Sequence, residues 1–279
     1  MRKPSSFSAT LIAAAIFSVS AVLMSALADP DSSGGGGSPF SLDQIAAGDK
    51  KAIGRFFAAN QIEYGLDNFM EIAFHGQADF TPPPESSIPF AWLASCLNAH
   101  SGHIFVIDRE GRMVFSDRTG CQRRVEAKDV NGDGVKELIS TDSSGGTGFS
   151  SVWGRYYFFD GVRFHKGLEY EKSYYETLPG STIFPGAPDL RQEVWALKET
   201  KGEVRFLDAD LDGFSELATV SYTTNYSIQD YNKDRDPDGS VLAKVSEAVK
   251  DVFGEQLGVE KNHSVIWEWD TVSHTYLKQ

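Results

Sequence analysis

The chain has 279 residues, 41% hydrophobic, 12% aromatic and 23% charged, with a mean hydropathy of -0.28. A disordered chain would be poorer in apolar residues and a multi-span membrane protein far richer, so the composition predicts an ordinary globular protein. Twenty-six basic residues against 39 acidic ones give a formal charge of -13. Such a charge repels nucleic acid and anionic membrane surfaces and attracts cations.

The first 28 residues read as a signal peptide. Arg2 and Lys3 form a positive start, Ala9 to Leu27 is small and apolar, and Ala26-Leu27-Ala28 supplies the small residues signal peptidase requires. The apolar core is short for a membrane span and is interrupted by Ser18, Ser20 and Ser25. No later run is long and apolar enough to cross a membrane. Export to the periplasm or the exterior is therefore expected, and cleavage deletes Arg2 and Lys3, leaving a still more acidic chain. Cys96 and Cys121 are the only cysteines, and in an oxidising compartment they invite one disulfide.

Residues 29–40, with Gly34 to Gly37 at their centre, read as a flexible linker. A single β-rich domain is expected over 41–279. Ser41 with Gln44 forms a capping box that starts a helix. Leu42, Ile45, Ile53, Phe56 and Phe57 give its apolar stripe, which Gly48-Asp49 interrupts. Pro82-Pro83-Pro84 breaks the chain, and the apolar segment Ile88 to Leu97 has no readable periodicity. Three hairpins follow. They cover Gly102–Ser116, Arg155–His165 with Asp160-Gly161 as its two-residue turn, and Val265–Leu277. Helical spacing returns only at Val241 to Leu257, which Gly258 should stop. The fold class expected is mainly β, with antiparallel sheets, an N-terminal helix and one inserted helix.

One internal repeat stands out. Residues 125–141 and 204–220 align at a constant offset: Val125/Val204, Asp129/Asp208, Asp133/Asp212, Gly134/Gly213, Glu137/Glu216 and Leu138/Leu217 are identical, and Asn131 faces Asp210. Side-chain oxygens at positions 1, 3 and 5 of a tight loop converge on one point. Glycine at 6 allows the turn, and the carbonyl at 7, from Val135 or Phe214, adds a ligand. Glu137 and Glu216 at position 9 close the shell. Carboxylates this close repel one another unless a cation lies between them. Oxygen ligands without histidine or thiolate point to calcium ahead of magnesium. An EF-hand is excluded, because its position 12 holds Ser140 and Thr219 and strand-like alternation precedes both loops.

DVNGDGVKEL and DADLDGFSEL resemble the calcium loops of FG-GAP/VCBS-type repeats, the integrin-like β-propeller blades. The segment VWGRYYFFDGVRF resembles the strands that follow such loops. The resemblance covers about 125–168, and more loosely 204–222 and the C-terminal hairpin. It implies blade-like sheets, adhesion or ligand binding, and calcium held by Asp129, Asn131, Asp133, Val135 and Glu137, and by Asp208, Asp210, Asp212, Phe214 and Glu216. Two loops are too few for a closed ring, so a partial propeller is expected. Its repeats would lie at about 103–168 and 204–279, with an insertion at about 223–262.

Other signals carry less. Asp234, Asp236, Asp238 and Gly239 keep part of the loop spacing, but Leu242 stands at position 9. That stretch reads as an incomplete ion loop or as an acidic turn before a helix. His100 and His103 lack the further ligands of a zinc site. Ser144 to Gly148 reads as a mobile loop. Trp153, Trp195, Trp267 and Trp269, with Tyr156, Tyr170 and Tyr174, make a sugar-stacking face or cross-strand packing. The function expected is an exported calcium-binding module for a carbohydrate or protein ligand. A secreted hydrolase with structural calcium is the alternative, although no nucleophile or phosphate-loop motif appears.

Overall fold

The computed structural model describes residues 40–62, 71–81, 88–98, 100–179, 183, 195–229, 234, 236–272 and 275–279. The expected signal segment, residues 29–39 of the expected linker and Pro82 to Pro84 lie outside the described residues.

Three α-helices and twelve strands are described. Helix α1 (Leu42–Ala46) opens on the expected capping box of Ser41 and Gln44, with both reciprocal bonds formed. Gly48, in the left-handed region at φ 74°, ends that stretch, and Asp49 caps α2 (Lys50–Ala59) through the amides of Lys51 and Ala52. The interrupted stripe is thus two helices. Their buried residues Ile45, Ile53, Phe56 and Phe57 face one side of the first sheet.

That sheet has four antiparallel strands in the order β1 (Glu71–Asp79), β2 (Pro89–Asn98), β3 (Ser101–Ile107) and β4 (Met113–Thr119). Residues 103–119, expected within the first calcium-loop repeat, belong here instead, because β3 pairs with β2 as well as β4. On one face Ala91, Leu93, Phe105 and Ile107 meet the helices; on the other Trp92, Ala94, Ile104 and Val106 meet Leu138, Tyr157 and Phe164 of the second sheet. A strand covered on both faces has no reason to alternate, which is why 88–97 lacked a period.

The second sheet is an antiparallel meander of eight strands: β5 (Cys121–Lys128), β6 (Glu137–Gly146), β7 (Phe149–Phe159), β8 (Phe164–Pro179), β9 (Trp195–Leu207), β10 (Leu217–Gln229), β11 (Glu260–Asp270) and β12 (Thr275–Lys278). Each repeat contributes four consecutive strands, β5–β8 and β9–β12. The halves are joined where Ser173 to Pro179 pair with Trp195 to Lys201. Beyond Ser173 and Lys201 that pairing stops and the halves pack through side chains instead. Tyr156, Phe158, Leu168 and Tyr170 of the first half bury Phe206, Ala218, Val220 and Tyr276 of the second. The rings of Phe158 and Tyr276, from β7 and β12, lie 5.6 Å apart.

Several local expectations need correction. The 155–165 hairpin turns at Gly161-Val162, not Asp160-Gly161. Asp160 precedes the turn and its Oδ1 accepts the amides of Val162 and Arg163, both at 2.8 Å. Ser144 to Gly146 are not a loop, for they pair with Phe149 to Ser151 across a turn at Thr147-Gly148. The insertion is shorter than 223–262, because β10 continues to Gln229 and β11 begins at Glu260. Within it α3 (Ser240–Phe253) stops at Gly254, four residues before the expected Gly258, since Gly254 already adopts the left-handed C-cap at φ 70°. Val245 and Val249 of α3 cover Leu178, Ala196 and Tyr226.

Cys96 on β2 and Cys121 at the start of β5 are disulfide-bonded across a separation of 25 residues. The bridge ties the two sheets together, and the chain-entropy argument assigns such a loop about 3.5 kcal/mol. Beside it, Asp142 accepts the amide of Gly120 at 2.6 Å and pairs with Arg155, which also holds Glu169 at 2.7 Å. No helix of the described residues is long and apolar enough to cross a membrane.

Candidate metal centre

Both acidic loops connect paired strands: 129–136 links β5 to β6, and 208–216 links β9 to β10. Neither is flanked by helices, as the exclusion of an EF-hand required. Five hydrogen bonds recur in register. The position-1 carboxylate takes two amides, from Gly132 (2.7 Å) and Gly134 (3.0 Å) on Asp129, and from Leu211 (2.6 Å) and Gly213 (2.8 Å) on Asp208. Position 3 accepts from position 5 (Asp133 to Asn131, Asp212 to Asp210), and position 5 from position 7 (Val135 to Asp133, Phe214 to Asp212). The position-9 glutamates reach back to position 2, where Val130 donates to Glu137 at 2.8 Å and Ala209 to Glu216 at 2.9 Å. The repeat read in the sequence is therefore a repeat of local structure.

Backbone geometry repeats as well. Glycines at position 6, Gly134 and Gly213, have φ of 81° and 100°, and position 4 is left-handed in both loops, with Gly132 at 84° and Leu211 at 66°. The glycine at position 6 was legible in the sequence; the demand at position 4 was not, because leucine meets it in one copy.

The carboxylates gather most closely in the second loop. Ligand oxygens of Asp208, Asp210, Asp212 and Glu216 all lie within 4.8 Å of one another, and among the described residues no other group of acidic, histidine or cysteine side chains does so. The amide of Asp212 favours the charge on Asp210, but partial desolvation within the loop and the carboxylates of Asp212 and Glu216 outweigh it and hold Asp210 above its ordinary range. The first loop brings its residues together differently. Asn131 is fully buried and its Nδ2 donates to Asp133 at 3.2 Å. Glu137 is only 1% exposed, and burial, with Asp133 and Asp129 beside it, pushes its carboxyl up to about 9. Val135 and Phe214 occupy position 7, where the carbonyl is the candidate ligand.

The two loops touch. The amide of Ser215 donates to the carbonyl of Asn131 at 2.6 Å, and a Cβ on Gly132 would lie 1.9 Å from the carbonyl oxygen of Gly213. The C-terminal hairpin braces this junction: the Tyr276 hydroxyl donates to the carbonyl of Ser215, and the Trp269 amide to that of Glu216 at 2.7 Å. Burial, followed by the carboxylates of Glu137, Asp133 and Glu216, raises the Tyr276 phenol. Phe214, Trp269 and Phe158 then line a cleft of about 290 Å³ with Asp133, Glu137 and Asp160. Asp160 also pairs with His165. Tyr276 was read only as a strand residue and Trp269 as part of a stacking face or of cross-strand packing, since nothing local signals a contact 61 positions away, as between Tyr276 and Ser215.

The third acidic stretch is described in part. Asp236 is buried and its two oxygens accept the amides of Val241 and Leu242, each at 3.0 Å, while Asp238 accepts that of Ser240 at 3.1 Å. This is the geometry of a helix cap, with the carboxylates at the positive end of α3. His103 is buried and stacked on Phe105, and His100 Nδ1 accepts the amide of Gly145 at 3.4 Å, so the two histidines do not form a metal pair.

Fold and site together define a mainly β protein with paired acidic loops, one of which can hold a metal ion. No known family, no curated protein and no solved structure matches the chain.

Proposed function

We propose that this is an exported calcium-binding repeat protein whose scaffold serves binding or adhesion. The observation that carries the calcium assignment is the convergence of Asp208, Asp210, Asp212 and Glu216 within 4.8 Å. The loop carries only oxygen ligands, four of them carboxylates, and has a position-7 carbonyl available, which suits a large hard cation better than magnesium or zinc. The first loop repeats the backbone geometry, and Asp129, Asn131, Asp133, Val135 and Glu137 are assigned the same role there. A cation at Glu137 would compensate the burial that otherwise disfavours its charge.

The disulfide between Cys96 and Cys121 supports export, since such bonds persist in oxidising compartments. Binding is preferred to hydrolysis because the carboxylates the fold gathers face backbone amides. Glu169 and Glu171, which line a separate groove, are engaged by Arg155 and Lys166 on Glu169 and by Ser151 on Glu171. The FG-GAP/VCBS resemblance of the loops agrees with adhesion.

Thermal unfolding of the chain in EGTA and in millimolar calcium tests the proposal. A ligand at 100 times its Kd stabilises by about 2.7 kcal/mol, a shift of several degrees. Asp208→Ala should reduce the shift most and Asp129→Ala should remove a further part. An identical melting temperature in EGTA and calcium for the wild-type chain overturns the metal assignment. A larger shift with magnesium or zinc overturns the choice of ion.

A further inference from the structure

A second concave site lies away from the acidic loops, where β8 and β9 part. It is a groove of about 570 Å³, within the size range of small-molecule sites. Its lining includes the rings of Tyr170, Tyr222, His263 and Trp267, two of which pack beside glycines. A Cβ on Gly202 would lie 3.0 Å from the Tyr222 ring, and one on Gly154 would lie 2.4 Å from that of Tyr170. Across β10 and β11, Tyr222 and His263 stack in parallel with centroids 4.9 Å apart and an interplanar angle of 16°. His263 is exposed, and Tyr222 and Trp267 are half-buried. Each ring of the Tyr222–His263 pair covers one face of the other, so an entering ligand meets the outer faces of the stack.

Polar groups surround this platform, and apart from Lys278 their charges are largely compensated. Glu171 lies within the field of Lys198 and accepts from Ser151 at 3.0 Å. Glu169 is held by Arg155 and Lys166, and Lys261 by Glu255. Lys198 stands over the rings of Tyr174 and Phe253 at 5.5 and 5.9 Å. Thr200 and Thr224 share a hydroxyl contact of 2.9 Å. A lining with donors and acceptors in near balance offers little field to a polyion, and one so polar is a poor home for an acyl chain. What fits is a ligand with apolar C–H faces and a rim of neutral hydroxyls.

We propose that this groove binds a neutral oligosaccharide, with pyranose faces stacked on Tyr222, His263 and Trp267 and hydroxyls bonded to Glu171, Thr200 and Lys198. The proposal names the ligand class for the binding role inferred above and rests on that role, but not on the metal. Binding does not require a saccharide to touch the acidic loops.

The test titrates the full chain with maltohexaose, cellohexaose and chitohexaose, and with oligogalacturonate as the acidic counterpart. It follows calorimetry and the intrinsic fluorescence to which Trp153 and Trp267 contribute. Saturable binding of at least one neutral oligomer is expected. Tyr222→Ala and Trp267→Ala should each weaken it about tenfold. Ile266→Ser, which alternates to the opposite face of β11, should leave it unchanged. If Tyr222→Ala fails to fold, His263→Ala at an exposed position carries the same expectation. Binding of none of the neutral oligomers, binding of oligogalacturonate alone, or affinity indifferent to all three groove substitutions overturns the proposal. The calcium melting shift is read on the same samples. A shift retained without saccharide binding sinks the groove assignment alone, and saccharide binding without a shift sinks only the metal assignment.

Discussion

The loops at 129–137 and 208–216 share a hydrogen-bond pattern and exposed positions 4 to 6, and differ in burial at positions 3 and 9 and in what presses on position 4. In the first, Asn131 and Glu137 are buried and Gly132 lies against the neighbouring backbone. In the second, Asp210, Leu211, Asp212 and Gly213 are exposed, and a Cβ on Gly213 would meet nothing within 4 Å. The open copy is the one whose carboxylates converge most tightly. The closed copy is braced by the open one through Asn131 and Ser215. Local sequence therefore fixes the turn, while the position of each repeat in the sheet decides whether the turn is mainly a wall or a cup. The first loop is wedged between the sheet halves, whereas the second gathers the four carboxylates that converge.

The largest expected contrast is at position 9. Near pH 4.5, where burying Glu137 as the acid carries little protonation cost, Glu137→Ala removes a fully buried side chain and leaves the Val130 amide without its acceptor, at a cost of about 3 kcal/mol. By pH 7 relief of the buried carboxyl offsets much of that loss. Glu216→Ala, half-buried, should cost under about 1 kcal/mol in EGTA and act mainly by abolishing the calcium response. Urea unfolding of both calcium-free variants near pH 4.5 measures the difference, and equal midpoints would erase the distinction between the loops. Next comes position 4 against position 6. Gly132→Ala combines left-handed strain with overlap on the Gly213 carbonyl, so about 2 to 4 kcal/mol should be lost. Gly213→Ala has strain alone, about 1 kcal/mol. If both alanines cost the same, the two loops do not press on each other as the Gly132 contact requires.

Much of this is legible in the amino-acid sequence. The capping box at Ser41, the hairpins, the paired loops and the pairing of Cys96 with Cys121 all follow from short-range chemistry or from counting. What escaped the sequence has a common physical cause. Strands β2 and β3 are covered on both faces, so their apolar residues do not alternate. Gly254 ended α3 early because two glycines compete as caps and sequence alone does not rank them. Ser144 to Gly146 lack the β-branched and aromatic residues that mark strands, yet they extend β6 because β7 supplies a partner across a tight turn. At the site, the candidate ligands were read from their spacing, whereas Tyr276 and Trp269 are supplied by the distant terminal hairpin. The burial that separates Glu137 from Glu216 is likewise set by packing between sheet halves, and an identical glutamate in both copies gives no hint of it.

The smallest expected effect tests the comparison from the other side. Position 4 is left-handed in both loops, but only the first has glycine there. Leu211, at φ 66°, is 86% exposed and so gains little from burial in return for its strain. Leu211→Gly relieves about 1 kcal/mol of left-handed strain. It also gives the unfolded chain more freedom, which takes back part of that gain. A net stabilisation of roughly 0.5 kcal/mol in EGTA is expected, with the calcium response intact, because the ligands and the amide at 211 are unchanged. Leu211→Asn should do slightly better, since asparagine tolerates the left-handed region without the backbone freedom of glycine. The readout is the urea midpoint alongside the calcium melting shift. Destabilisation by both substitutions would mean that Leu211 makes a contact its exposure conceals, and the second loop would then not be the open one.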